Sequence, residues 1–365
     1  MRTIEIRSGL PAQGTCPVHL GRSAPGRLIQ DLARAGHGRT VVISDSQVAP
    51  LHAERLIDAA ATAGVHLDLL TFPAGERFKT RETKSDLEDR LAALRVGRDG
   101  GIVALGGGVT GDLAGFLAAT WNRGVPVYQV PTSLLAMVDA AIGGKTGLDL
   151  PGAKNRIGSF HTPAGVYVDP GYLTTLPPDR LRSGLAEVAK YAVIADPSIL
   201  SILEERLQDI LDLQPELLSD LMASCIGIKA SVVEEDPQEA GRRAILNFGH
   251  TVAHAVEAAA SYQFDHGDAV AIGMVVEGRL ANDRTGFPVA DLSRLEMWLV
   301  KAGLPVRLPQ GIDPDVVVEL AGADKKNRDG RIRCALPLRL GTMVAGPDPT
   351  VEVPIPALLA ALVSD

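Results

Sequence analysis

Leu105-Gly106-Gly107-Gly108-Val109-Thr110-Gly111-Asp112 lies between a short apolar run at 101–105 and a helical pattern at 112–121. The segment satisfies G-x-G-x-x-G, a turn whose backbone amides and following helix N-terminus suit a pyrophosphate. Glycine-rich turns after strands also serve only to turn the chain, so the motif alone carries little. The acidic residue expected about 20 positions downstream is missing, since that region reads Val127-Tyr128-Gln129-Val130-Pro131-Thr132. Asp45, at the end of an earlier strand, becomes the candidate for the ribose hydroxyls. Strand-like runs at 39–44, 66–72, 125–130 and 166–169 alternate with helical patterns at 53–63, 80–96 and 132–142. Such alternation predicts a mostly parallel sheet covered by helices on both faces.

From 178 onward the pattern changes to long helical periodicities at 180–194, 197–212, 215–235, 244–260, 269–285 and 291–302, with one β-like piece near 332–337. Leu176-Pro177-Pro178 punctuates the change, and Pro178 can open a helix. The expected fold is an α/β, Rossmann-like nucleotide-binding domain over 1–177 and a mostly α-helical metal- and substrate-binding domain over 178–365. Hydrophobic residues at 46% and charged residues at 22% are globular proportions and exclude a disordered chain. With 36 basic against 44 acidic side chains, a general nucleic-acid binder is excluded, though not a local basic pocket. Cys16, Cys225 and Cys334 are an odd number in no C-x-x-C pair, which fits a reducing compartment. The start alternates like a strand without a signal peptide's apolar core, and no apolar run approaches the roughly 20 residues of a membrane helix. A cytoplasmic protein is expected.

Several residues are candidates for chemistry. The turn Ala74-Gly75-Glu76-Arg77-Phe78-Lys79 carries both charge signs before a helix, and reads equally as a solvated helix entrance or as a lid over a nucleotide. His250 and His254, four apart on a helical pattern, share a face at a spacing common among divalent-metal ligands, or are ordinary polar residues of that helix. His266 opens the next helical run and can return towards His250. Glu187 and Lys190 sit in an otherwise apolar helix, where charges are costly unless partnered. Two nitrogens and a carboxylate would leave zinc an open position for a substrate oxygen. Basic and amide residues recur in glycine-rich stretches: Arg123, Lys145, Lys154-Asn155, Lys229, Arg243 and Lys325-Lys326. Singly each reads as a solvated side chain that keeps the protein soluble, but 143–147 and 152–155 together read as anion-cradling loops.

These stretches resemble the 3-dehydroquinate synthase family of sugar-phosphate cyclases. The likeness runs from about Asp45 to Asn327, through 106–116 (GGGVTGDLAGF), 130–147 (VPTSLLAMVDAAIGGKTG), 184–191 (GLAEVAKY), 246–254 (LNFGHTVAH) and 264–274 (FDHGDAVAIGM). The resemblance implies an NAD-binding α/β domain and a helical metal-binding domain, with the family's active site between them. It implies Glu187, His250 and His266 as ligands of one divalent metal, zinc first and cobalt second. His254 thereby becomes a substrate-contacting residue, against the pairing that spacing alone suggests. Implied NAD contacts are Asp45, Glu76, Lys79, Gly107, Gly108, Val109, Asp112, Thr132, Ser133, Asp139, Lys145, Lys154 and Thr175. Implied substrate and catalytic positions are Lys145, Asn155, Lys190, Lys229, Glu239, Arg243, Asn247 and His254, with Asp139 and one of Lys325 and Lys326, taken as Lys326. Arg123 matches a residue that in the family reaches the neighbouring subunit's site, implying a homodimer. Gln47 stands where Asn is common, Ser133 replaces a frequent second Thr, and 148–153 matches more loosely.

In the family, NAD transiently oxidises one secondary alcohol of 3-deoxy-D-arabino-heptulosonate 7-phosphate. The new ketone acidifies the adjacent C–H, phosphate is eliminated, the hydride returns, and ring opening with aldol closure gives 3-dehydroquinate. The pathway implied is that of shikimate and the aromatic amino acids. A doubly anionic substrate requires cations inside a chain of net charge −8. The alternatives are a cyclase acting on sedoheptulose 7-phosphate or forming 2-deoxy-scyllo-inosose, and a metal-dependent polyol dehydrogenase. Arg243 and Asn247 beside His254 favour a carboxylate-bearing substrate. A non-catalytic NAD-binding regulator would not need Glu187, Lys190 and three histidines together.

Overall fold

A computed structural model of the chain describes residues 1–7, 14–150, 153–261, 264–322 and 331–364. The chain divides into two units, Met1–Pro177 with Leu218–Pro237, and Pro178–Leu217 with Gln238–Asp365. The first contains strands β1 (Arg2–Arg7), β2 (Thr15–Leu20), β3 (Thr40–Asp45), β4 (Leu67–Phe72), β5 (Gly101–Gly106), β6 (Val127–Pro131), β7 (Lys145–Leu150), β8 (Ala153–Phe160) and β9 (Gly165–Val168). Its helices are α1 (Ala24–Ala35), α2 (Ala49–Thr62), α3 (Arg81–Ala93) and α4 (Gly108–Thr120).

Seven strands form one sheet in the order β1-β2-β9-β6-β5-β3-β4. Neighbours are parallel except β1, which runs antiparallel to β2. Alternate side chains go to opposite faces. Val41, Ile43, Ile102 and Ala104 pack with Leu87 and Leu91 of α3 and Leu113 and Leu117 of α4. Val42, Val103, Leu105 and Val130 pack with Leu28 and Leu32 of α1 and Ala53 and Leu56 of α2. Cover on both faces explains why these strands are continuous apolar runs rather than alternating ones. From the β3–β5 pair the chain winds outward in opposite directions, to β4 on one side and β6 on the other. The carboxyl ends of β3 and β5, Asp45 and Gly106, therefore flank the switch point where open α/β sheets bind ligands.

Two expectations change in this unit. The helix anticipated over 132–142 is a short turn centred on a π-helical segment, Ala136–Ala140, in which the Ala141 amide donates to the Ala136 carbonyl at 3.1 Å. The stretch read as anion-cradling loops is largely an antiparallel ribbon of β7 and β8, with Lys145 opposite Phe160 and Gly147 opposite Gly158. Those glycines mark close approach rather than loop: a Cβ on Gly147 would lie 2.8 Å from the Ile157 carbonyl oxygen.

The second unit is mostly helical: α5 (Pro178–Ile194), α6 (Ser198–Glu205), α7 (Leu207–Leu211), the start of α8 (Pro215–Glu235), α9 (His250–Ala259), α10 (His266–Thr285), α11 (Val289–Lys301), α12 (Pro314–Gly322) and α13 (Ile355–Val363), with two short antiparallel strand pairs, Arg333–Cys334 with Val351–Glu352 and Pro337–Arg339 with Thr342–Met343. From Leu218 on, α8 groups with the first unit rather than with its sequence neighbours. The single helix expected over 244–260 is interrupted. Arg242–Asn247 is a 3-10 turn, and Gly249, at φ +80°, re-aims the chain into α9. Helix α10 lies backbone to backbone on its neighbours. A Cβ on Gly267 would collide with the Ser183 carbonyl of α5, and one on Gly273 with the Gly249 carbonyl before α9. Gly273→Ala is accordingly expected to destabilise the chain by about 1–3 kcal/mol through overpacking. Gly227→Ala, on α8 with no atom within 4 Å of its Cβ position, is expected to stabilise it by about 0.5–1 kcal/mol. Urea titrations followed by circular dichroism check both.

Candidate active site

Helix α5 is buried from Ser183 to Ile194, and Glu187 and Lys190 lie within that stretch at 0% and 1% exposure. Lys190 Nζ is 2.5 Å from Glu187 Oε2. Glu187 Oε1 faces the Nε2 atoms of His250, at 3.3 Å, and His266, at 3.5 Å. The two imidazoles are the first residues of α9 and α10. His250 Nδ1 lies 3.1 Å from the Phe248 carbonyl, which only accepts, so Nδ1 carries the proton and Nε2 presents a lone pair. His266 Nδ1 lies 3.2 Å from Glu257 Oε1 and is fixed the same way. One donor atom from each of Glu187, His250 and His266 falls in a cluster within 4.8 Å. Neither Glu187 oxygen has a hydrogen bond of good geometry.

Acceptors converging on one point favour a positive charge between them. Burial opposes ionisation of Glu187, but Lys190 and His250 hold its carboxyl well below the usual range. Burial and Lys190 keep His250 neutral. Burial also opposes the His266 imidazolium, yet Glu257 and Glu187 push its pKa up to about 10. Two imidazoles and one carboxylate are a donor set suited to zinc or a similar divalent ion. His254, one turn beyond His250, lies edge-on to it with ring centroids 5.7 Å apart and is not part of the three-atom cluster.

Two buried acids here escape a reading of the sequence. Glu257 shares the His250 face of α9, and Glu277 lies in the apolar middle of α10. The Glu277 carboxylate accepts from the amides of Gly249 at 2.8 Å, Thr251 at 3.0 Å and Val252 at 3.2 Å, capping α9 where His250 begins it. The available signal was an acid embedded among residues that a buried helix otherwise fills with aliphatics. In the same unit Asn247 Nδ2 donates to Glu239 Oε1 at 2.7 Å, and Arg243 is 1% exposed on the 3-10 turn. Lys325 and Lys326 lie outside the described residues.

In the first unit, Asp45 Oδ1 accepts from the amides of Gln47 and Val48, and Oδ2 from Thr110 Oγ1 at 3.3 Å, joining the end of β3 to the first turn of α4. Gly107 caps α4 with no side-chain hydrogen bond, leaving its first amides, at Gly108 and Val109, for an anion. Thr132 donates its amide to the Gly106 carbonyl, and Ser133 Oγ lies 3.5 Å from where a Cβ on Gly107 would be. Lys79 is the hub of a polar cluster. Its Nζ is 2.6 Å from both Asp112 Oδ2 and Asn155 Oδ1, and its carbonyl accepts from the Asp149 amide. Burial would lower the Lys79 pKa, but Asp112, Glu76 and Asp149 hold it above its ordinary value. Lys154 pairs with Glu76 at 3.3 Å. Lys229 Nζ donates to the Asp139 carbonyl at 2.7 Å and to its Oδ1 at 2.8 Å, across the π-helical turn. Thr175 bonds His52 rather than this cluster. Lys145 and Arg123 are exposed, and Arg123 has φ +72°.

An α/β unit with a ligand-ready switch point and a helical unit with a three-residue metal cluster define a nucleotide- and metal-dependent enzyme. The same fold occurs in glycerol dehydrogenase of Schizosaccharomyces pombe, at TM-score 0.68 over 94% of this chain and 87% of that one, with 16% identity. The chain belongs to the 3-dehydroquinate synthase family: residues 69–183 match its N-terminal part and 184–327 its C-terminal part. It is 45% identical to 3-dehydroquinate synthase of Synechococcus sp. over 88% of each chain. It is 42% identical to that of Nostoc sp. over 96% of this chain and 97% of the relative. Among solved structures, 2-epi-5-epi-valiolone synthase of Streptomyces hygroscopicus subsp. jinggangensis, with NAD+ and Zn2+ bound, superposes at TM-score 0.86 with 30% identity and 97% coverage of both chains. A 2-deoxy-scyllo-inosose synthase complexed with carbaglucose-6-phosphate, NAD+ and Co2+ does so at 0.88 with 27% identity and 99% coverage of both. Protein purified without chelator is expected to carry one divalent ion per chain by elemental analysis. His250→Ala and His266→Ala should each lose it, and His254→Ala should keep it.

Proposed function

We propose that this chain is itself a 3-dehydroquinate synthase, a lyase that converts 3-deoxy-D-arabino-heptulosonate 7-phosphate into 3-dehydroquinate and phosphate. The carrying observation is the Glu187–His250–His266 cluster, its carboxylate fully buried, in a chain of this family. NAD would supply a hydride acceptor that is regenerated in each turnover, and zinc, or cobalt in its place, would supply positive charge to substrate oxygens. Asp45 would hold the ribose, and the uncapped N-terminus of α4 at Gly107, Gly108 and Val109 the pyrophosphate. Glu76, Lys79, Asp112, Thr132, Ser133, Asp139, Lys145, Lys154 and Thr175 would complete the nucleotide contacts.

Substrate-binding and catalytic positions are assigned to Lys145, Asn155 and Lys229 in the first unit and to Lys190, Glu239, Arg243, Asn247 and His254 in the second, with Lys326. The cations would bind phosphate and carboxylate, the Arg243 guanidinium matching a carboxylate best. His254 is assigned the movement of a proton at the substrate, freed for that role by its place outside the metal cluster. Lys190, held against Glu187 Oε2, keeps the metal carboxylate ionised. Cys16, Cys225 and Cys334 are buried and far apart in sequence, which supports a reducing, cytoplasmic setting. Among the described residues no helix is long and apolar enough to cross a membrane.

Phosphate release and NADH absorbance followed together test the reaction. Product is expected in large excess over NAD with no accumulating NADH, and sedoheptulose 7-phosphate and glucose 6-phosphate should be poor substrates. NADH released in step with product would support a dehydrogenase instead. The working unit is taken to be a homodimer in which Arg123 serves the neighbouring site. Refolding equal amounts of Arg123→Ala and His250→Ala chains together should then restore about a quarter of wild-type activity, from one intact site in each heterodimer. No restoration, or full activity of a monomer in sedimentation, would remove the shared site.

A further inference from the structure

The structure assigns Glu257 a positioning role: it orients His266 and strengthens its imidazole as a metal ligand. The assignment rests on the metal-site reading above. Glu257 is 1% exposed, and its Oε1 lies 3.2 Å from His266 Nδ1. On the opposite side of the same ring, Nε2 faces Glu187 Oε1 at 3.5 Å. Glu257 and His250 are seven residues apart on α9, two helical turns, and so share a face. One helix thus supplies a ligand of its own and the group that aims the ligand of α10.

A carboxylate on Nδ1 does three things. It fixes the proton on that nitrogen, so that the Nε2 lone pair points into the cluster. It stops rotation of the ring about its last side-chain bond. It also returns electron density to the imidazole, making Nε2 a better donor, and such partners typically alter metal affinity by about 10–100-fold. His250 has only a neutral carbonyl, that of Phe248, in the corresponding place. The two imidazoles are therefore unequal ligands, and His266 is the stronger donor.

The competing view is a buried ion pair that merely stabilises the fold. Glu257→Gln keeps shape and an accepting oxygen but removes the charge. Zinc affinity by chelator competition, urea stability of the metal-free protein and the visible spectrum of the cobalt-loaded protein are measured on wild type, Glu257→Gln and His250→Ala. Glu257→Gln is expected to bind zinc about 10–100-fold more weakly and to shift the cobalt bands. Zinc affinity within about two-fold of wild type, with stability alone reduced, overturns the proposal. Should His250→Ala retain stoichiometric zinc, the metal-site reading fails first and the proposal with it. If Glu257→Gln does not fold, nitrogen-15 histidine spectra of the zinc-loaded wild type decide. His266 should be protonated at Nδ1 and bound through Nε2, and binding through Nδ1 overturns the assignment.

Discussion

A carboxylate with no exposure, facing two imidazole lone pairs, cannot persist without a positive charge in its midst, and the second unit is organised around that requirement. Leaving one such ion uncompensated in a protein interior costs several kcal/mol. Glu187 is compensated on one oxygen by Lys190, a turn further along α5, while the other faces the two imidazole nitrogens. The rest of the unit holds those groups still. Gly267 lets α10 dock on the Ser183 carbonyl one turn before Glu187, and the Gly267 amide donates to Ser183 Oγ at 3.1 Å. Gly273 admits the Gly249 carbonyl, and Glu277 then gathers the first amides of α9. Each contact fixes the helix end that bears one donor.

The first unit solves a different problem, that of presenting backbone donors and a controlled charge at a sheet's switch point. Asp45 joins the end of β3 to α4 through Thr110. Lys79 binds Asp112 of α4 and Asn155 of β8 through one ammonium, tying helix and ribbon together. Asp149 reinforces this by accepting from the Asn155 amide at 2.8 Å, where Asn155 adopts φ +51°. Burial pushes the Asp149 pKa up to about 6 against the pull of Lys79. The charges in this unit therefore constrain the β7–β8 ribbon.

The parallel sheet was legible because both its faces are covered, which writes each central strand as an unbroken apolar run such as Val41-Val42-Ile43. The turn after β5 was legible because the chain runs too close to itself there for a side chain: a Cβ on Gly106 would lie 2.4 Å from Thr110 Oγ1. Other features were hidden by the same chemistry that creates them. Gly147 looks like a loop residue because glycine signals both turns and close strand approach. The π-helical turn at 136–140 leaves no mark, since its wider hydrogen bond asks nothing unusual of Ala136 or Ala141. Glu257 and Glu277 stand out in the sequence only as acids among aliphatics, and their partners stay hidden because the burial of a single acid is decided by residues distant in sequence. The break at Gly249 was concealed by helical periodicity continuing on both sides of it.

His250 and His254 show why spacing along one helix is a poor guide to this cluster. A pair four residues apart presents both rings from one rigid rod, and the remaining donors must come to it. Here each donor comes from a different helix, two of them at helix starts, where a residue is placed by the turn before it as much as by the helix after it. Gly249, with its left-handed backbone, sets the direction of His250, and the Phe248 carbonyl sets its tautomer. His254 lies inside α9, beside the cluster. A cation held by α5, α9 and α10 together crosslinks three elements far apart in sequence, so its binding free energy adds to their packing. The arrangement thereby couples the order of the metal site to the docking of α10, the helix that touches both of the others.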